Sequence, residues 1–171
     1  MAKFTDRQLK SNDIDWYCLI NGNPVHIASM GGLIPSDFRE RKELRQIAEF
    51  VIQLPYSSEV DLNIDFIREQ TQTGYSYLDK NGVSEIAEEI FGTFPSYNYH
   101  QNLLMKEKMF AYSFIEKGRR GFYSYAREGD TNKYVLVATP KTPLVWNEER
   151  FQLKSLQVQV AEGRMPEDIE L

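Results

Sequence analysis

The dipeptide that most constrains this chain is Asn21-Gly22, set between the runs Trp16 to Ile20 and Val25 to Ser29. Asn-Gly is the strongest short hairpin signal, because a tight primed turn needs positive φ at both central residues. A two-residue loop also fixes the register. Opposing positions then sum to an odd number, so His26 shares a face with Tyr17 and Leu19. Cys18 shares the other face with Trp16, Ile20, Val25 and Ile27. A Cys18–His26 nucleophile–base pair within this hairpin is therefore disfavoured, and Cys18 reads as a small buried hydrophobe.

Beyond the hairpin, "MGGLIPSD" reads as a loop with Ser36 as helix N-cap. A helix is expected from Asp37 to about Gln53, where Leu44, Ile47, Ala48, Val51 and Ile52 recur at helical spacing and make one apolar stripe. Pro55 closes it. A short strand follows near Val60 to Leu62, with one or two helical turns from Asn63. Another strand ends in the Asn81-Gly82 turn, and Ser84 caps a second helix that carries Ile86, Ala87, Ile90 and Phe91 up to Gly92. The later chain reads as a β-meander. Its strands are Met109 to Glu116, Phe122 to Arg127 and Lys133 to Thr139, and "GRRG" forms the first turn.

That turn belongs to "KGRRGFYSYAR", which tests for an RNA-reading strand. Arg120, Gly121 and Phe122 match the first three positions of the RNP1 pattern, but Tyr123, Ser124 and Arg127 break the rest. On the meander, strand parity puts Phe110, Tyr112 and Phe114 beside Tyr123 and Tyr125, a ladder that reads as core. Arg119 and Arg120 then mark a solvated tip. The formal net charge of −5 argues the same way, against general attraction to nucleic acid or an anionic membrane.

Other chemistry fails on spacing. Asp61, Asn63 and Asp65 open a calcium-loop pattern, but Phe66 stands where the glycine is required and Gln72 where the bidentate Glu belongs. Two histidines and one cysteine, with no paired spacing, give no zinc site, and no metal or cofactor is expected. "SMGGLIPSD" has two glycines before a helix start, which suits an anion, yet lacks the lysine of a phosphate loop. The best small-ligand candidates are Tyr97, Tyr99 and His100 in the aromatic loop "SYNYHQN", with Arg127 as a second polar group. No catalytic residue is assigned.

The expectation is an α+β fold: an N-terminal β-hairpin, two main helices and a C-terminal antiparallel β-meander packed on them. Residues 1–145 make one domain, and 146–171 an extension with one candidate strand and a frayed acidic end. The single cysteine, the absence of an apolar leader in "MAKFTDRQLK" and the short apolar runs point to a cytoplasmic protein without a membrane span. The expected function is a non-catalytic module that binds another protein or its own copy. The alternative is a small-ligand binder or enzyme with an aromatic-lined pocket. Nucleic acid is not an expected partner.

Overall fold

The computed structural model describes residues 2–71, 103–159 and 164–171. The strand ending at Asn81-Gly82 and the helix after Ser84 lie outside the described residues. So do Tyr97, Tyr99 and His100.

Helix α1 (Asp6–Ser11) opens on a capping box, in which the Thr5 hydroxyl and the Gln8 side chain satisfy each other's backbone N–H groups. Strands β1 (Asp15–Ile20) and β2 (Asn23–Ala28) then form the expected hairpin. Asn21 and Gly22 both have positive φ, 50° and 78°, and Tyr17 faces His26 while Cys18 faces Val25. The turn chemistry sets this register locally.

The first long helix starts later than its pattern suggested. Ser36 is not an N-cap: Ser36–Phe38 is a short 3-10 turn, and α2 runs Arg41–Val51 after Glu40, which makes no side-chain cap. The N-terminus explains the delay. Phe4 N–H donates to the Arg39 carbonyl (3.0 Å) and Arg41 N–H to that of Ala2 (3.2 Å), a bridge between Lys3 and Glu40 that holds Glu40 extended. Phe38 meanwhile packs on Trp16, ring centroids 5.0 Å apart. Leu44, Ile47 and Val51 are buried and Ala48 half-buried, but Ile52 lies past the helix end and is 55% exposed.

Strand β3 (Val60–Leu62) leads straight into α3 (Ile64–Thr71). Asn63 is the N-cap residue, since its side-chain oxygen accepts from Phe66 N–H (3.1 Å) and its carbonyl from Ile67 N–H (3.1 Å). The expected strand from Met109 to Glu116 is instead part of helix α4 (Leu103–Arg119). Ala111, Phe114 and Ile115 are buried and Phe110 is half-buried, and Gly118 meets Val60 one turn further on, a helical stripe. Nor is "GRRG" a hairpin tip. Gly121 has φ +90°, Phe122 N–H donates to the Lys117 carbonyl (3.1 Å) and Gly121 N–H to that of Gly118 (2.9 Å). These are the two bonds of a Schellman helix stop, with Gly121 in the left-handed position it requires.

The chain continues as β4 (Tyr123–Arg127), β5 (Lys133–Pro140) and β6 (Asp168–Glu170). The sheet order is β1-β2-β4-β5-β3, with β6 also on β5. The fold is α+β. Its C-terminal strands β4 and β5 are antiparallel, as a meander requires, but β4 joins the hairpin through a parallel pairing with β2.

Helices α3 and α4 cover one face, over Ala28, Ala126, Val137 and Ala138. These small residues let α4 approach closely; a Cβ on Gly118 would stand 2.9 Å from the Val60 methyls. The other face buries Trp16, Cys18, Val25, Ile27, Tyr125 and Tyr134 beneath Leu9, Ile34, Phe38 and Ile169. Tyr123 and Tyr125 do share a face, but it is the face opposite Phe114. The acidic end carries β6. Ile169 is buried between exposed Asp168 and Glu170, a period-two pattern that pairs with β5, and the Tyr125 hydroxyl donates to the Pro166 carbonyl (2.7 Å). The "FQLKSLQVQV" segment adds a single bridge to the outer edge of β1 at Leu19 and Ser155.

Candidate functional site

Two polar regions stand out, one sealed and one open. The sealed one begins with the sheet register. Tyr17, His26 and Ser124 lie side by side across β1, β2 and β4, and Asp15 sits two residues before Tyr17 on the same face. His26 Nδ1 makes a short contact with the Ser124 hydroxyl. Its Nε2 is 3.1 Å from Asp15 Oδ1. In the tautomer that carries its proton on Nε2, toward the carboxylate, Nδ1 accepts from the Ser124 hydroxyl. Burial works to raise the Asp15 pKa; the His26 ring and the Lys117 ammonium outweigh it and hold the carboxyl below its ordinary value.

Helix α4 completes this layer. Glu116 lies 3.3 Å from Lys117 Nζ and 3.0 Å from Arg120 Nη1. Arg120 is no solvated tip: it is buried and donates to the carbonyls of Leu54 (3.1 Å) and Ile52 (2.9 Å), just past the end of α2. Helix C-termini leave such carbonyls without intrahelical partners, and a guanidinium satisfies two at once. Its plane also lies 4.4 Å from the Tyr56 ring centre. Burial, with Asp15 and Glu116 nearby, pushes the Tyr17 phenol well above its usual range.

Ser124, His26 and Asp15 are the parts of an activated hydroxyl nucleophile in the order nucleophile, base, orienting acid. Asp15 borders solvent, its side chain 38% exposed, but a substrate cannot reach the serine or the imidazole. Ser124 and His26 have no exposed surface, and Phe114 packs against the imidazole with centroids 6.1 Å apart. Nucleophilic attack needs room for a reacting atom about 3 Å from the hydroxyl, and this hydroxyl faces packed side chains. The chain of contacts satisfies buried polar groups. Cys18, on the opposite face from His26, has its thiol pKa raised by burial.

The open region lies at the far edge of the sheet. Strand β3 pairs with Ala138–Pro140 of β5 and β6 with Lys133–Val135, so the edge is split between them. The gap is tied by Asn63 N–H to the Val137 carbonyl (2.8 Å) and Leu136 N–H to that of Glu167 (2.8 Å). At the split is a cleft of ≈ 560 Å³. Among the described residues its lining carries Asp61, Asp65, Glu69, Glu128, Glu167 and Asp168 with Lys133, which stands 3.5 Å from Asp168 and 3.7 Å from Glu128. Arg68 at its rim is 4.0 Å from Asp65, and Lys141 pairs with neighbouring Glu59 at 2.9 Å. Asn63, the middle residue of the calcium-loop pattern, spends its side chain on capping α3 and on the Leu136 carbonyl. Among the described residues no cluster of three or more His, Cys, Asp or Glu is placed to hold a metal ion.

Arg127 donates to the carbonyls of Thr131 (2.7 Å) and Met30 (3.5 Å), so it clips two loops together. Its expected companions Tyr97, Tyr99 and His100 lie outside the described residues. The glycines of "SMGGLIPSD" have a packing use. A Cβ on Gly32 would overlap the Tyr134 hydroxyl and stand 2.8 Å from Arg127 Cδ. Neither the His26–Ser124 contact nor the split edge has a local sequence signal, because both depend on strands distant in the chain. Among the described residues no helix is long and apolar enough to cross a membrane. No protein-family model, curated protein or solved structure matches the chain.

Proposed function

We propose that this chain is a non-catalytic protein-binding module whose working surface is the split edge of the sheet at β3 and β6. One observation carries this: the Ser124–His26–Asp15 chain, which has the makings of a reaction centre, is closed to substrate, while the cleft at the split edge is open to a partner. Six carboxylates, more than the cations beside them, keep that surface hydrated and unsuited to core packing. A sheet edge offers backbone groups as well as side chains, which gives a protein partner both affinity and register.

The test places a photo-crosslinking residue at Asp61, in the cleft, and in a second protein at Arg45, on the exposed side of α2. A partner captured from Asp61 alone is purified and titrated back onto the unmodified chain. Saturable rebinding, weakened by substitution at Asp65 and Glu69, supports the module. Equal capture from both positions, or a partner that fails to rebind once pure, removes the edge as the working surface. A serine-directed fluorophosphonate probe should leave Ser124 unlabelled; stoichiometric labelling would make the chain an enzyme.

A further inference from the structure

Resting on that binding-module reading, we infer that the occupant of the split edge is a basic, extended segment of another protein, added as a strand beside β3. The edge has the geometry for it. Asn63 N–H donates to β5 and the Glu59 carbonyl accepts from it, so Glu59 and Asn63 point their backbone inward. Strand alternation turns the N–H and C=O groups of Val60 and Leu62 the other way, away from β5. Val60 is buried beside α4, so half-buried Leu62 and the strand end beyond it offer the main-chain contacts. Among the described residues no strand pairs with β3 on that side. An edge of this kind accepts an extended peptide by main-chain hydrogen bonds.

Charge selects which peptide. A strand laid along Val60–Leu62 runs past Asp61, Asp65 and Glu69, with Glu167 and Asp168 across the split. Lys133 is shared between Glu128 and Asp168, Arg68 lies 4.0 Å from Asp65 and Lys141 pairs with Glu59, and the six lining carboxylates still outnumber these cations. Lys or Arg at alternate positions would meet that surplus, and an acidic strand would be repelled. A second copy of this chain is a poor occupant, because its net charge is −5 and the cations of its "KGRR" run include Lys117 and Arg120, both buried. Half-buried Val135 on the lining adds an apolar footing for a β-branched residue between the cations.

The experiment uses three labelled peptides and fluorescence anisotropy on the full chain. One alternates Lys with Val, the second alternates Glu with Val, and the third is the Lys-Val peptide with Pro at its central Val positions. Proline removes backbone donors and leaves the charge unchanged. The Lys-Val peptide should bind and weaken as salt rises. Asp65→Lys with Glu69→Lys should weaken binding about tenfold in Kd, since each reversal turns an attraction into a repulsion. The Pro peptide should bind at least ~tenfold more weakly than its parent, having lost two or more main-chain hydrogen bonds. Equal binding of the Pro and parent peptides would overturn strand addition. Binding of Glu-Val as tight as Lys-Val would overturn the basic partner and leave the module intact. Failure of all three peptides would overturn the inference, and the Asp61 crosslink decides separately whether the module stands.

Discussion

The layer under α4 and the cleft at the split edge are both rich in carboxylates, yet they follow opposite rules. Under α4, Glu116 faces Lys117 and Arg120, and Asp15 at the margin of the layer meets His26, which bridges to Ser124, so charges balance where burial is deep. At the split edge six carboxylates outnumber the cations beside them: Lys133 serves Glu128 and Asp168, and Arg68 serves Asp65. Burial forces pairing, because an unpaired buried charge costs several kcal/mol. Only a surface in contact with solvent can keep an unbalanced charge, and that surplus is what a partner can use.

Arg120→Ala should break this contrast hardest. It strips Glu116 of a cation and the carbonyls of Ile52 and Leu54 of their donor, in a site where the side chain is 8% exposed. Urea unfolding should show a loss of about 3–5 kcal/mol; a loss below 1 kcal/mol would mean that the layer is not paired as described. Next comes Ile47→Ala, at about 2–5 kcal/mol for a buried aliphatic side chain. Arg45→Ala on the exposed side of α2 should stay within ~0.5 kcal/mol. Equal losses from the two would place the stripe on the wrong face.

A smaller effect comes from Asp15 through pH. Its pKa is lowered in the fold, so its charge stabilises the protein above the unfolded carboxyl value near ~3.9. That stability is lost as pH falls through the lower folded value. Urea midpoints measured from neutral pH down to about pH 3 should fall for the native chain and less steeply for Asp15→Asn. Parallel curves would show that Asp15 is not coupled to His26 and Lys117. Smallest of all is the cleft. Asp61→Asn or Glu69→Gln should leave stability within ~0.5 kcal/mol, since these carboxylates pack nothing. A loss of 2 kcal/mol would assign the cleft a structural role and weaken the case for a partner.

How much the sequence disclosed follows from how local each signal is. Asn21-Gly22 set its hairpin register alone, and Asn63 capped α3 from within its own turn. The α2 stripe was visible because three turns repeat it. Helix α4 was misread because Phe110, Tyr112 and Phe114 alternate like a strand, while Phe110, Ala111, Phe114 and Ile115 fit a helix equally well. The deciding signal was present: Lys117 and Arg119 in a last turn, then Gly121 and an apolar Phe122, which together spell a helix stop. The polar layer and the split edge were out of reach. Each requires a pairing, β2 with β4 or β3 and β6 with one side of β5, that no short stretch encodes.

The parallel pairing of β2 with β4 also carries a cost in time. His26 and Ser124 are 98 residues apart in the chain. A hairpin closes in about 1–10 μs, so β1 and β2 can zip together as soon as both have left the ribosome. At ~5–20 residues per second, the strand that covers the inner edge of β2 arrives roughly 5–20 s later. For that interval the nascent chain displays Val25 and Ile27 along an open strand, with His26 lacking its serine. A hairpin that forms first must therefore wait for its neighbour, and that wait is when a chaperone, or a wrong strand, has its opening.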